Sequence, residues 1–152
     1  MTCASGSVLS HAKLYSSNPN LKYDFKCQQV YIPSGAVPTV NITASTILAG
    51  SNSLDLASHQ VACPAGAALR QFQLRWSWAT RAIWYQFECL QVKNLPVGGA
   101  CTPLTTTYAV SGGNLELYRH ALDCAPSGKL LTDFVLEKEA ASTKVRYSYT
   151  CC

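Results

Sequence analysis

The side chains best suited to acid–base chemistry are two acid–histidine pairs, Asp55 with His59 and Glu116 with His120. A carboxylate that orients an imidazole is a common arrangement for a general base. On a strand, however, residues four apart share a face but lie about 13 Å from each other, too far for a direct hydrogen bond. The pair also occurs in two similar segments, and an active site seldom repeats. We therefore interpret both pairs as surface or inter-strand structure, with a metal or acid–base role as the alternative.

Other patterns typical of catalysis are missing from the sequence. It contains no Gly-x-Ser-x-Gly nucleophile elbow, no phosphate-binding glycine loop and no Cys–His nucleophile arrangement. Glycoside hydrolysis needs two carboxylates that face each other across a cleft, and the sequence indicates no such pair. The sequence predicts a protein that is not an enzyme and that needs no cofactor or metal.

A cluster of aromatic and basic residues is a candidate binding site. It lies at one predicted hairpin tip and comprises Arg75, Trp76, Trp78, Arg81 and Trp84. Trp rings beside hydrogen-bonding side chains form platforms for sugar rings or anchors for a protein partner. Trp84 falls in the outward phase of its strand, so we expect that ring to be exposed. The alternative is that Trp76 continues the inward phase of Phe72 and Leu74 and caps the core.

The elements that must position these residues are visible as a threefold repeat of about 62 residues. Three segments begin and end with cysteine, at residues 3–27, 63–89 and 124–151. Each contains a glycine, a leucine three residues later, an apolar-x-Leu pair, and a closing aliphatic-x-Tyr-x-aromatic-x-Cys run. The alternation in the closing run has the period of a half-buried strand, so each segment is predicted to be a β-hairpin.

The hairpins predict how the eight cysteines pair. The first and last cysteine of a hairpin arrive side by side, which gives Cys3 with Cys27, Cys63 with Cys89 and Cys124 with Cys151. Cys101 and Cys152 are left to pair with each other. A zinc site is the alternative, but no two cysteines have Cys-x-x-Cys spacing. A disulfide framework of this kind predicts an oxidising compartment.

Two connecting units separate the hairpins. They are predicted to be paired strands, Thr39–Leu48 with Ser53–Val61, and Thr105–Val110 with Asn114–Leu122. The chain is thus predicted to be a single all-β domain over residues 1–152. Its parts are repeat 1 (3–62), repeat 2 (63–123) and a partial repeat 3 (124–152), with one connecting unit absent.

Hairpins related by pseudo-threefold symmetry bury their apolar faces most economically against one another, which predicts a disulfide-stapled β-prism. A β-trefoil is the competing threefold fold, and its shorter repeat disfavours it. The hairpins also resemble the vitelline membrane outer layer protein I family. The resemblance lies in the Cys-x-x-Gly opening at Cys63 and Gly66, the apolar-x-Leu strand with Phe72, the aromatic-x-Cys endings, and the double cysteine 151–152. It covers the three hairpins and implies a secreted egg-coat protein with three Greek-key sheets and four disulfides. It also implies a connecting unit ahead of Cys3.

Composition and short motifs indicate which partners and which cellular location to expect. Only 13% of residues are charged and the net charge is +4, with the basic residues scattered along the chain. Extracellular glycans, including anionic ones, and coat or matrix proteins are therefore the expected partners, whereas nucleic acid and a membrane span are not. Asn41 begins an Asn-Ile-Thr sequon for N-glycosylation. Met1 is not followed by a signal peptide, so we expect the printed chain to be a mature or trimmed form with an added Met.

Together these features predict a secreted, non-enzymatic structural module of an extracellular coat, matrix or filament. A prism that lacks one connecting unit exposes a sheet edge, and such an edge pairs readily with another chain. Self-association is therefore expected, or else the chain is a fragment of a longer repeat polypeptide. A lectin-like carbohydrate-binding module that uses the tryptophan cluster is the alternative function.

Overall fold

The computed structural model describes residues 1–17, 20–43, 46–47, 56–57, 59–77, 79–96, 100–110, 120–140 and 142–152. Within them the protein is all-β, as the sequence predicts, and its helical segments are short 3₁₀ turns such as the one at Ala125–Ser127. The strands are β1 (Ser7–Ser17), β2 (Asn20–Gln29), β3 (Thr39–Ile42), β4 (Thr46–Ile47), β5 (Gln60–Ala62), β6 (Ala67–Ser77), β7 (Ala82–Gln91), β8 (Thr102–Thr105), β9 (Ala109–Val110), β10 (Ala121–Asp123), β11 (Leu131–Lys138) and β12 (Lys144–Cys151). No helix among the described residues is long and apolar enough to cross a membrane.

Three antiparallel hairpins, β1–β2, β6–β7 and β11–β12, organise the molecule. A glycine with positive φ precedes each of them: Gly6 at 74°, Gly66 at 78° and Gly128 at 66°. This conformation is strained for residues with a Cβ, which explains why the sequence repeats glycine there. The register of each hairpin then shifts by one residue, after Leu9, Leu69 and Leu131. The shift is a β-bulge, which bends the strand over the core.

The extra residue of each bulge ties one hairpin to another. The carbonyls of Ser10, Arg70 and Thr132 accept hydrogen bonds from the amides of Cys124, Cys3 and Cys63, at 2.8, 3.1 and 3.0 Å. The short strands that precede two of the hairpins also pair with a different hairpin from the one that they precede. Strand β5 precedes the second hairpin but pairs with β11, and β10 precedes the third but pairs with β1. Each hairpin is therefore hydrogen-bonded to a segment that belongs to another repeat.

The hairpins share one apolar core. Ala12, Phe72 and Phe134 occupy equivalent positions on the first strands of the three hairpins. Each of them is at most 4% exposed. The rings of Phe72 and Phe134 are 4.8 Å apart, and Tyr85 and Tyr147 meet Phe134 edge-on at 5.4 and 5.8 Å. Because Ala12 is small, these large rings fill the space at its position in the core. The core thus depends on residues from three distant parts of the chain.

Four disulfides staple this arrangement, in the pairs that the repeat predicts. Three close the hairpins: Cys3–Cys27, Cys63–Cys89 and Cys124–Cys151. The fourth joins Cys101 to Cys152. All eight cysteines are used, so none is left as a thiolate ligand for zinc.

The connecting units differ from the predicted strands. Instead of one strand over Thr39–Leu48, β3 ends at Ile42 because Thr43 turns its side chain to a buried histidine. Leu56 is not in a strand but in a 3₁₀ turn, since its side chain is inserted into the core at 1% exposure. Strand β8 begins at Thr102 rather than Thr105 because the disulfide of Cys101 holds it against the end of β12.

Candidate functional site

The outer edge of β2 is the feature that distinguishes the first hairpin from the other two. Strand β7 is paired with β6 on one side and with β3 and β4 on the other. Strand β12 likewise lies between β11 and the pair β8 and β9. Strand β2 is paired with β1, and no strand in the described part of the chain pairs with its other edge. We call this edge, over Tyr23–Cys27, the open edge.

The covered edge of β7 shows how such an edge is normally closed. Strand β3 runs antiparallel to it, with Thr39 opposite Cys89 and Asn41 opposite Phe87. Just beyond β3, the Thr43 amide donates to the carbonyl of Tyr85 at 3.0 Å, and the Thr43 hydroxyl accepts from the Tyr85 amide at 3.0 Å. One threonine thereby satisfies both backbone groups of the tyrosine.

A buried histidine completes this contact. His59 Nδ1 lies 2.7 Å from the hydroxyl of Thr43, and the His59 ring is only 2% exposed. Burial lowers the pKa of His59, so the imidazole is neutral at pH 7. Because the threonine oxygen already accepts from Tyr85, its own proton is available to the neutral ring nitrogen. The histidine therefore orients the hydroxyl of Thr43.

The same contact is repeated at β12. The Thr106 amide donates to the Tyr147 carbonyl at 2.9 Å, and the Thr106 hydroxyl accepts from the Tyr147 amide at 2.9 Å. His120 Nδ1 lies 2.8 Å from that hydroxyl. His59 and His120 thus have an inter-strand structural role, whereas their predicted acidic partners, Asp55 and Glu116, lie outside the described residues.

Tyr23 is the third member of this set, since it precedes Cys27 as Tyr85 precedes Cys89. The side chains along the open edge are more exposed than their equivalents on β7 and β12. Phe25 is 36% exposed, whereas its equivalents Phe87 and Tyr149 are 5% and 8% exposed. Cys27 is exposed as well, although Cys89 and Cys151 are 2% and 0% exposed. Phe25 falls in the apolar phase of its strand, and it is uncovered because no strand among the described residues lies beside it.

The three tyrosines, Tyr23, Tyr85 and Tyr147, line one small cavity in the core. Burial raises the pKa of Tyr85 and of Tyr147, and the nearby Tyr147 raises the pKa of Tyr85 further. The pKa of Tyr23 is also raised, mainly by burial and then by the nearby Tyr147. The cavity between them measures about 20 Å³, enough for one water molecule and too small for a substrate. These hydroxyls stay protonated at neutral pH.

The tryptophan cluster is only partly described. Trp78 and the side chain of Trp76 lie outside the described residues. Trp84 is half-buried, directly across the strand pair from Arg75, whose Nε donates to the Gln86 side chain at 3.0 Å. Arg81 is exposed at the hairpin turn with a φ of 50°. Sugar binding by this cluster stays a prediction.

Asn41 is half-buried at the covered edge of β7. Its Nδ2 donates to the Thr39 carbonyl at 3.2 Å and contacts Cys89 Sγ at 3.9 Å. The hydroxyl of Thr43, the third residue of the sequon, is engaged with His59. N-glycosylation of Asn41 stays a prediction as well.

Sequence reasoning missed the two threonines that close the covered edges. The signal for them is a Thr-x-x-x-Thr pattern, which occurs at residues 39–43 and 102–106 and nowhere else in the chain. In both places the first threonine lies opposite the last cysteine of a hairpin, Cys89 or Cys151. The pattern therefore identifies the strand that pairs with the outer edge of the second strand of a hairpin.

No protein-family model, curated protein or solved structure matches this chain. Function must be inferred from the geometry, and the open edge is its most specific feature. Its backbone groups, which no strand among the described residues pairs, are suited to pairing with a strand from another chain.

Proposed function

We propose that this protein is a secreted, non-enzymatic structural module of an extracellular coat, matrix or filament that assembles through the open edge of β2. The observation that carries this proposal is the contrast among three equivalent strands, two of which are covered while the third exposes Phe25 and Cys27. An exposed row of amide and carbonyl groups favours the addition of a strand from another chain.

The proposal includes a β-prism with pseudo-threefold symmetry. It is supported by the glycine, the bulge and the disulfide that recur in each hairpin. The lead-in strands that pair with a different hairpin also favour three sheets around a common core. The resemblance of the hairpins to the egg-coat family agrees with this arrangement.

An extracellular location is supported by the disulfides. Each hairpin disulfide closes a loop of 24 to 27 residues, which corresponds to about 3.5 kcal/mol of stabilisation on the chain-entropy model. That contribution is retained only where the cysteines stay oxidised. A cross-linked block of this kind is suited to a passive mechanical role.

The proposal predicts self-association that depends on one backbone amide. The register places the Phe87 amide toward β3, and by equivalence the Phe25 amide points away from β1. Proline at position 25 should remove this outward donor while leaving the β1–β2 ladder intact. We expect sedimentation velocity to show concentration-dependent dimers or larger species for the wild type, and at least about tenfold weaker association for Phe25→Pro.

The matched control is Phe25→Ala, which removes the same ring but keeps the amide. It should associate more strongly than Phe25→Pro. A wild-type protein that stays monomeric at millimolar concentration would overturn the proposed function. Equal association of the proline and alanine variants would show that the edge is not the contact.

A further inference from the structure

We propose that the open edge binds an extended segment of a partner polypeptide with the pattern Thr-acidic-Leu-basic-Thr, the two central charges being set by Lys26 and Asp24. This inference rests on the proposed function, because it names the partner of the same edge. Two observations support it. The covered edges of β7 and β12 show which residues a strand places along such an edge, and β2 carries charged side chains that such a strand would face.

The threonine positions follow from the register. On β7 and β12 the occupant places one threonine opposite the last hairpin cysteine and another at the hairpin tyrosine, four residues on. Transferred to β2, the first threonine lies opposite Cys27 and the last one at Tyr23. The last threonine then accepts from the Tyr23 amide and donates its own amide to the Tyr23 carbonyl, as Thr43 and Thr106 do for their tyrosines.

The central residue of the pattern covers the exposed ring. Asn41 lies opposite Phe87 and Leu104 lies opposite Tyr149, and both of these rings are buried. The residue opposite Phe25 has the same position, and Leu104 shows that an aliphatic side chain is accommodated there. Leucine buries the most apolar surface there, which favours it over asparagine.

The remaining two positions face the charged side chains of β2. The equivalents of Lys26 and Asp24 on β7 are Glu88 and Gln86, which lie opposite Val40 and Ile42. An occupant of β2 therefore places its second residue opposite Lys26 and its fourth opposite Asp24. Both charges are exposed on the outer face of the sheet. Opposite charges on directly facing strand positions are favourable and like charges are unfavourable.

Because of the residues that face them on β1, Lys26 should contribute more to partner recognition than Asp24. Asp24 lies across from Lys13, which offers it a positive charge already. Lys26 lies across from His11, whose Nδ1 is 3.2 Å from a carboxylate oxygen of Asp123. The acidic residue opposite Lys26 should therefore contribute more to recognition than the basic residue opposite Asp24.

Within residues 1–152, this chain has no spare segment of that pattern. Its two Thr-x-x-x-Thr segments, 39–43 and 102–106, already cover β7 and β12. Neither carries an acidic residue second or a basic residue fourth. The pattern therefore describes a segment from outside residues 1–152, and a partner polypeptide is the occupant that we assign. Self-association uses the same edge with a less complementary strand.

The test is a titration of the protein, residues 1–152, with two capped peptides of identical composition. One contains Thr-Glu-Leu-Lys-Thr and the other the charge-swapped Thr-Lys-Leu-Glu-Thr. We expect the first peptide to shift the backbone amide resonances of Tyr23, Phe25 and Cys27, and to bind about tenfold more tightly than the second. A third peptide with valine in place of the last threonine should bind more weakly than the first.

Reversal of the preference in a variant protein excludes a trivial explanation. Lys26→Glu should weaken the binding of Thr-Glu-Leu-Lys-Thr and strengthen that of Thr-Lys-Leu-Glu-Thr, a result that misfolding cannot produce. Equal affinities, shifts elsewhere on the molecule, or no binding at all would overturn this inference. If self-association through the edge persists in that case, the proposed function stands; if it is also absent, both fail.

Discussion

Replacement of Phe134 by alanine is expected to lower the free energy of unfolding by about 4 kcal/mol. The ring is 1% exposed and packs against Phe72, Tyr85 and Tyr147. These partners come from two different hairpins, so little of the cavity can be closed by a local shift. A loss of this size is a large part of the total stability of a typical domain.

Chemical denaturation with the disulfides intact measures this change. The control is Val37→Ala, because Val37 is 73% exposed and its truncation should change stability by less than about 0.5 kcal/mol. If Phe134→Ala costs no more than the control, then Phe134 does not join the hairpins into one core.

Removal of the Cys124–Cys151 disulfide, by alanine at both positions, should cost about 5 kcal/mol. About 3.5 kcal/mol comes from the loss of a cross-link between residues 27 apart. The rest comes from the cavity, because both cysteines are fully buried. For a chain of this length we expect the melting temperature to fall by about 10–20 °C.

The Cys3–Cys27 disulfide provides the matched comparison, since it closes a loop of similar length, 24 residues, but includes one exposed cysteine, Cys27. The double alanine variant at these positions should lose less, close to the entropic 3.5 kcal/mol alone. Differential scanning calorimetry of both variants decides the matter. A larger loss at Cys3–Cys27 than at Cys124–Cys151 would contradict the view that the first hairpin is the uncovered one.

The hairpins could be predicted from the sequence because their signal is local. Alternation of apolar and polar residues in 83–89 and 145–151 fixes which face is buried, and the flanking cysteines fix the ends. The disulfide pairing followed from the same reasoning. Both depend on residues that are close along the chain or paired within one hairpin.

The connecting units could not be predicted as well because their conformation depends on distant partners. Strand β5 is only three residues long and is held by β11, about seventy residues away along the chain. Leu56 leaves the strand pattern because the core has room for its side chain. His59 looked like half of an acid–base pair, and only the fold places it against Thr43 instead.

An exposed sheet edge is predicted from the sequence because residues 1–152 contain two connecting units for three hairpins, but the chemistry of the open edge could not be predicted. The role of Thr43 and Thr106 becomes clear only when their hydroxyls are placed beside the tyrosine amides of another strand. The exposure of Phe25 likewise contradicts its apolar phase, because burial of a strand needs a neighbour as well as a pattern.

Amide hydrogen exchange tests the central claim most directly. In dilute monomeric protein, we expect the amides of Tyr23, Phe25 and Cys27 to exchange at least about a hundredfold faster than those of Tyr85, Phe87 and Cys89. Addition of the Thr-Glu-Leu-Lys-Thr peptide should slow the first group and leave the second unchanged. Equal protection of both groups in the monomer would mean that the outer edge of β2 is already covered, and the account of assembly would be wrong.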